Sequence, residues 1–221
     1  MAASEPEFSP SPAFPPAPWH LQGEFFAVGG LMPIARAKAF VPADLEIVPV
    51  LPGMTLGAIA AARYTEGSIL TYSELLVVPA LVRSGEKTGG WISHIYVDDE
   101  TSLQGGRSIW GLPKELATFE WESLAERGSN STLLRVSQHG KLILDFWAAP
   151  RWLAVPTAFD MPVISLVEGR PSPWHARLSC RTRMTSTHLE IPPDAPFAGL
   201  RPQSLLGIHG ENLKMDVARP L

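Results

Sequence analysis

The sequence predicts a mostly β, antiparallel domain that closes into a barrel and carries only a few short helices. Three observations point there. Prolines number 22 in 221 residues, about twice the usual share of roughly 5%, and beyond the first eighteen positions they recur too often for long helices. Between them lie short apolar runs, bounded by turn residues, that alternate only loosely; such runs suit strands buried on both faces or a closed barrel. Charged residues make up only 18%, against roughly 25% in an average globular chain, which fits a large dry interior.

The elements follow in order. Residues 1–18 hold six prolines and read as an extended arm, with neither the charged start nor the long apolar core of a signal peptide or membrane span. A single domain is expected over residues 19–221. Residues 24–28 form a first strand that ends at Gly29 and Gly30. Helix formers over 33–40, with Pro33 at the first position, predict a short helix. Strands are expected over 45–51, 54–64, 69–82 and 91–97. Asp98 and Asp99 then cap a helix, which Gly105 and Gly106 would end. Residues 131–148 read as a hairpin turning at 138–141. A long strand over 174–191 places Leu178, Cys180, Thr182 and Met184 on one face and Arg177, Arg181 and Arg183 on the other.

Composition excludes several functions. Eighteen Lys and Arg face 22 acids, for a net charge of -4, so no nucleic-acid partner is expected. The longest apolar stretches fall far short of the roughly 20 residues a bilayer span requires, so no membrane partner is expected and the cytoplasm is the default location. One cysteine, Cys180, supports neither an internal disulfide nor a multi-cysteine zinc site. Six scattered histidines lack the close pair spacing of a helical metal site, and no metal is expected. The stretch Gly106 to Trp110 lacks the last glycine of a nucleophile elbow, and no loop matches a phosphate-binding fingerprint. No cofactor is therefore expected. Asn130-Ser131-Thr132 matches a glycosylation sequon but reads as a polar turn.

One segment is distinctive: residues 95–117, IYVDDETSLQGGRSIWGLPKELA. It resembles the acetoacetate decarboxylase family, in which a Tyr-x-Asp-Asn/Asp-Glu segment leads through Gly-Arg-Glu to an aromatic-x-x-Pro-Lys loop. Three further matches follow the family's order: residues 12–15 (PAFP), residues 33–47, and residues 71–74 (TYSE), which are similar to the family's Tyr-Thr-Glu segment. The resemblance covers roughly residues 12–121. It implies that Lys114 is a Schiff-base lysine, that Glu74 is an active-site glutamate, that the barrel is of the acetoacetate decarboxylase-like type, and that the chain forms a homo-oligomer. The chain departs from the family at three places. Glu115 follows Lys114 where the family's decarboxylases carry a second lysine. The family's substrate-orienting arginine falls near Gly23, and a second glutamate falls near Ile59.

The chemistry explains a lone lysine in such a loop. A β-keto acid loses carbon dioxide easily once its ketone is a protonated imine, because the nitrogen accepts the electron pair left behind. An ordinary lysine, with a pKa near 10.4, is neutral in only about one molecule in a thousand around pH 7. An apolar site can shift a buried lysine by roughly 3 to 5 units, and acetoacetate decarboxylase is a standard example of such activation. Ile109, Trp110, Leu112, Pro113 and Leu116 are the expected walls, with Trp110 and Leu112 lining the substrate pocket. Glu74 serves as proton shuttle or positions the substrate; otherwise it is a structural partner for an arginine. If the loop is extended, Glu115 faces away from Lys114. Arg107 is expected to bind Asp98, Asp99 or Glu100 structurally rather than to bind substrate, and Tyr72 and Tyr96 to be core or strand residues rather than acids, with either hydroxyl able to point into a barrel cavity.

The leading expectation is thus a cofactor-independent decarboxylase of a β-keto acid, either acetoacetate-like or a longer, polyketide-type chain of secondary metabolism. Two readings stay open beside it: a Schiff-base aldolase-dehydratase acting on a keto acid such as pyruvate, and a non-catalytic barrel that binds an apolar metabolite.

Overall fold

The computed structural model describes residues 14–124 and 131–220. The first thirteen residues of the proline-rich arm lie outside this range, as does Asn130 of the sequon. Thirteen strands join in one sheet: β1 (Trp19–Pro33), β2 (Glu46–Ile47), β3 (Met54–Tyr64), β4 (Ser73–Val78), β5 (Ala80–Ser84), β6 (Lys87–Trp91), β7 (His94–Val97), β8 (Lys114–Leu116), β9 (Thr118–Ser123), β10 (Thr132–Gln138), β11 (Lys141–Val167), β12 (Arg170–Glu190) and β13 (Gln203–Val217). The helices are α1 (Ile34–Ala37), which tightens into a 3-10 turn over Lys38–Phe40, and α2 (Glu100–Trp110). Pro33 ends β1 and caps α1.

Hydrogen bonds link the strands in the order β2-β5-β6-β11-β12-β13-β1-β3-β4-β7-β8, with β10 and β9 branching from β11. The ladder has two ends, β2 and β8, so among the described residues it does not form the expected closed ring. Nor is it wholly antiparallel: β6 pairs with β11, and β7 with β8, in parallel. The second of these pairs requires a crossover, and α2 supplies it.

Both faces of the sheet are apolar, which is why the strands alternate only loosely. Neighbouring residues divide between two cores: Phe26, Ala61, Leu75 and Tyr96 pack in one, while Phe25, Ala62, Ile95 and Val97 pack in the other with Trp19, Trp110 and Trp174. Proline breaks the expected strand over 69–82 at Pro79, leaving β4 and β5 on either side. The hairpin turns at His139 and Gly140, both with positive φ, the geometry favoured in two-residue hairpin turns. Along β12, Leu178 and Cys180 are buried in the second core. Met184 shares their face, yet is 48% exposed, because only part of that face is covered.

The helix expected over 98–104 begins as predicted, with Asp99 at its N-cap accepting from the Ser102 backbone N–H at 2.6 Å. It does not stop at Gly105 and Gly106. It runs through both glycines to Trp110 and ends at Gly111, whose φ of 62° is left-handed. The two inner glycines serve close approach instead. A Cβ on Gly105 would lie 2.5 Å from the Trp19 ring, and one on Gly106 would lie 2.5 Å from the Lys114 side chain. Before β1, the Pro15 carbonyl accepts from the Trp19 indole N–H at 2.9 Å.

Candidate active site

The β7-α2-β8 crossover brings Lys114 into the second core. Lys114 opens β8 beside Ile95, and its backbone is pinned from both sides. Its N–H donates to the Leu112 carbonyl at 2.8 Å, and its own carbonyl accepts from Arg107 Nε at 2.7 Å. Arg107 therefore holds the main chain of Lys114 and does not bind the acids at the start of α2. Because β8 is extended, side chains alternate: Lys114 is 2% exposed, whereas Glu115 faces outward and accepts from Gln138 Nε2 at 2.5 Å. The acid that replaces a second lysine thus sits on the other side of the strand.

Glu74 is 6% exposed on β4. Lys114 Nζ donates to Glu74 Oε2 at 2.8 Å and to Ser102 Oγ at 2.9 Å. Two hydroxyls complete the carboxylate's shell: Tyr64 donates to Oε1 and Tyr72 to Oε2, each at 3.3 Å. Burial, reinforced by the Glu74 charge, pushes both phenols well above the ordinary tyrosine range, so they remain protonated donors. Nζ lies 5.0 Å from the centre of the Tyr72 ring and 5.7 Å from that of Trp19. The expected arginine partner of Glu74 is replaced by the lysine itself.

The amine borders a cavity of about 70 Å³ whose lining includes Trp110, Leu112, Met161, Val163 and Trp174. Trp110 and Leu112, expected at the substrate pocket, both line this cavity, and the Trp110 indole N–H is satisfied by the Ala218 carbonyl at 2.7 Å. Among the described lining residues, Lys114 and Glu74 are the only charged ones. A larger surface groove of about 470 Å³ beside His20 and Asp216 contains neither the lysine nor its carboxylate partner.

The remaining sequence candidates separate cleanly. Tyr72 belongs to the site, while Tyr96 points into the opposite core. Ile59 also packs in that opposite core. At Gly23 a Cβ would collide with the Arg63 carbonyl at 2.0 Å, so the backbone there has no room for an arginine side chain. Sequence reasoning missed Tyr64 and Ser102. Ser102 did carry a signal, standing three residues after the capping Asp99 and four before Gly106, on one face of α2. Tyr64 carried only the alternation of β3, which places it with Ala62.

Known proteins resemble the chain in sequence and in fold. A family model described as acetoacetate decarboxylase matches residues 4–162. Over 177 residues the chain is 31% identical to the acetoacetate decarboxylase of Ralstonia nicotianae, covering 72% of this chain and 66% of that one. Over 102 residues it is 32% identical to the Oryza sativa protein Neoxanthin-deficient 1, covering 46% of this chain and 33% of the relative. These matches span a third to two thirds of the relatives' lengths. The fold resembles that of the acetoacetate decarboxylase of Legionella pneumophila, with a TM-score of 0.74 at 18% identity over 98% of this chain and 91% of that one. It also resembles the enduracididine biosynthesis enzyme MppR, with a TM-score of 0.72 at 16% identity over 100% of this chain and 98% of the other. With the family model spanning most of the chain and the motif lysine seated in the pocket beside its glutamate, the chain belongs to the acetoacetate decarboxylase family.

Proposed function

We propose that this protein is a cofactor-independent lyase that decarboxylates a short β-keto acid through an imine on Lys114. The observation that carries this reading is the buried Lys114 amine, 2.8 Å from Glu74 at the edge of an otherwise apolar cavity. In its uncharged form Nζ adds to the ketone carbon, and the nitrogen becomes positive as the carbonyl oxygen becomes negative. Glu74 Oε2 carries two protons in turn to that oxygen, first the one Lys114 gave up in becoming uncharged and then one taken from the nitrogen, and the oxygen leaves as water. The protonated imine then draws in the electron pair of the breaking carbon-carbon bond, carbon dioxide departs, and a neutral enamine remains. Protonation at carbon followed by hydrolysis releases the ketone and restores the amine.

The walls favour the decarboxylation step. Breaking that bond converts a carboxylate into neutral carbon dioxide and a cationic imine into a neutral enamine. Trp110, Leu112, Val163 and Trp174 surround the cavity with surfaces that solvate such neutral species better than a compact carboxylate. A cavity of about 70 Å³ with apolar walls suits a short keto acid better than a polyketide-type chain.

An aldolase-dehydratase would use the same imine, and MppR has been solved with pyruvate and with a condensation product of pyruvate. An α-keto acid that keeps its carboxylate through the reaction needs a cation to hold it, and among the described lining residues Lys114 is the only one. A purely binding barrel would leave the Lys114–Glu74–Ser102 cluster without a purpose. Part of the site face is also open: Leu56, Met184 and Leu206 are exposed there, which supports a homo-oligomer.

The test is incubation with acetoacetate in the presence of borohydride. Lys114 should gain mass and carbon dioxide should be released, with both lost in Lys114→Ala. Carbon-carbon bond formation without carbon dioxide release would favour the aldolase reading. Absence of any Lys114 adduct would refute the imine.

A further inference from the structure

We infer that Ser102 is a positioning residue that aims the Lys114 amine into the cavity. This rests on the imine reading above. An uncharged amine has two N–H bonds and one lone pair at the three free corners of a tetrahedron. Two acceptors touch Nζ from the protein side, Glu74 Oε2 at 2.8 Å and Ser102 Oγ at 2.9 Å. With both N–H bonds engaged, the lone pair occupies the remaining corner, which opens on the cavity that Lys114 lines. With Glu74 alone, the amine could rotate about its Cε–Nζ bond and turn the lone pair away from the substrate.

The surroundings of Ser102 are built to hold this contact. Its side chain is fully buried, with 0% exposure, and its backbone N–H is fixed by the capping Asp99 at 2.6 Å. One helical turn later, Gly106 leaves the space through which the lysine stem passes, since a Cβ there would lie 2.5 Å from both Cδ and Cε. Ser102 and Gly106 thus form an i, i+4 slot on α2, with the serine at its head and the glycine at its floor. After the imine forms, the single N–H left on nitrogen still has Ser102 Oγ as an acceptor, which keeps the imine plane facing the same cavity.

The test compares the wild-type chain, Ser102→Ala and Ser102→Thr. Reductive trapping of acetone on Lys114 by borohydride gives the rate of imine formation with a minimal ketone, and acetoacetate turnover gives kcat and KM. Loss of a hydrogen bond to a charged or reacting group corresponds to about a ten- to hundredfold change. Ser102→Ala is expected to slow trapping and lower kcat by that factor, leave KM within about twofold, and unfold near the wild-type temperature. Ser102→Thr, which restores the hydroxyl, is expected to recover most of the rate. Equal trapping rates in wild type and Ser102→Ala, a change confined to KM, or no recovery in Ser102→Thr would overturn the role of Ser102 while leaving the imine reading intact. A wild-type chain that forms no Lys114 adduct would overturn the imine reading, and this role with it.

Discussion

Glu74 has more hydrogen-bonding partners than a structural carboxylate would require: Lys114, Tyr64 and Tyr72 all donate to it. That makes it the residue whose replacement separates shape from proton transfer. Glu74→Gln keeps the volume and can still accept hydrogen bonds, but it cannot carry a proton between nitrogen and oxygen. Turnover measured as carbon dioxide release should fall about 10²- to 10⁴-fold, the usual range for general acid-base groups; a fall of less than about tenfold would mean that another group moves the proton. Met161 offers the converse test, because it lines the cavity while remaining 37% exposed and so is the wall that can be cut back at least cost. Met161→Ala should lower KM for β-keto acids with longer chains relative to acetoacetate, as read in a competition assay; an unchanged ratio would place the chain-length limit elsewhere. Lys114 and Glu74 were legible because motif order fixes residue type and spacing together. Ser102 and Tyr64 were not, since they meet the amine and the carboxylate only after α2 and β3 are packed. Arg107 was misassigned because its partner is a main-chain carbonyl, which leaves no trace in residue type.

At the scale of elements, α2 shows how a correct cue can be misread. A glycine pair ends many helices, yet here Gly105 and Gly106 lie within the helix, where each would ordinarily destabilise by about 1 kcal/mol relative to alanine. The cost is offset by what the missing Cβ atoms admit, namely the Trp19 ring at one position and the Lys114 stem at the other. Gly106→Ala therefore sets helix propensity against function. The helix should gain intrinsically, while the Cβ forces the lysine stem aside, so borohydride trapping on Lys114 should fall at least tenfold with little loss in thermal stability. Trapping at the wild-type rate would show that the stem has another path. Other elements were easier to read. Residues 54–64 coincide with β3, and the turn at His139 and Gly140 fixed the hairpin. The long strand expected over 174–191 is β12, whereas the length of β11 beyond the hairpin was hidden because its central portion is largely solvent-exposed, so no continuous apolar pattern marks it.

For the molecule as a whole, loose alternation correctly signalled strands buried on both faces, but the same pattern serves a closed barrel and an open sheet with a core on each side. Ring closure depends on which edge strands meet, and β2 and β8 are too short for composition to reveal their partners. The two cores do share one reporter. All three tyrosines of the chain are shifted upward, Tyr64 and Tyr72 by burial and then by Glu74 in one core, Tyr96 by burial and then by Glu115 in the other. When a folded-state pKa exceeds the unfolded value near 10, the unfolded chain releases its proton first as pH rises. The stability conferred by keeping the phenol neutral is therefore complete below about pH 10 and is lost as pH climbs toward the folded value. Each such group removes about 1.4 kcal/mol per pH unit in that window, and three acting together remove about 4 kcal/mol per pH unit. Native protein should accordingly show almost no tyrosinate absorbance slightly above pH 10. The signal from all three should then appear in one step, coincident with loss of circular dichroism, because ionisation of the buried phenols requires both cores to open. One tyrosine ionising near its ordinary pKa in protein that still has native circular dichroism would show that at least one core admits water without unfolding.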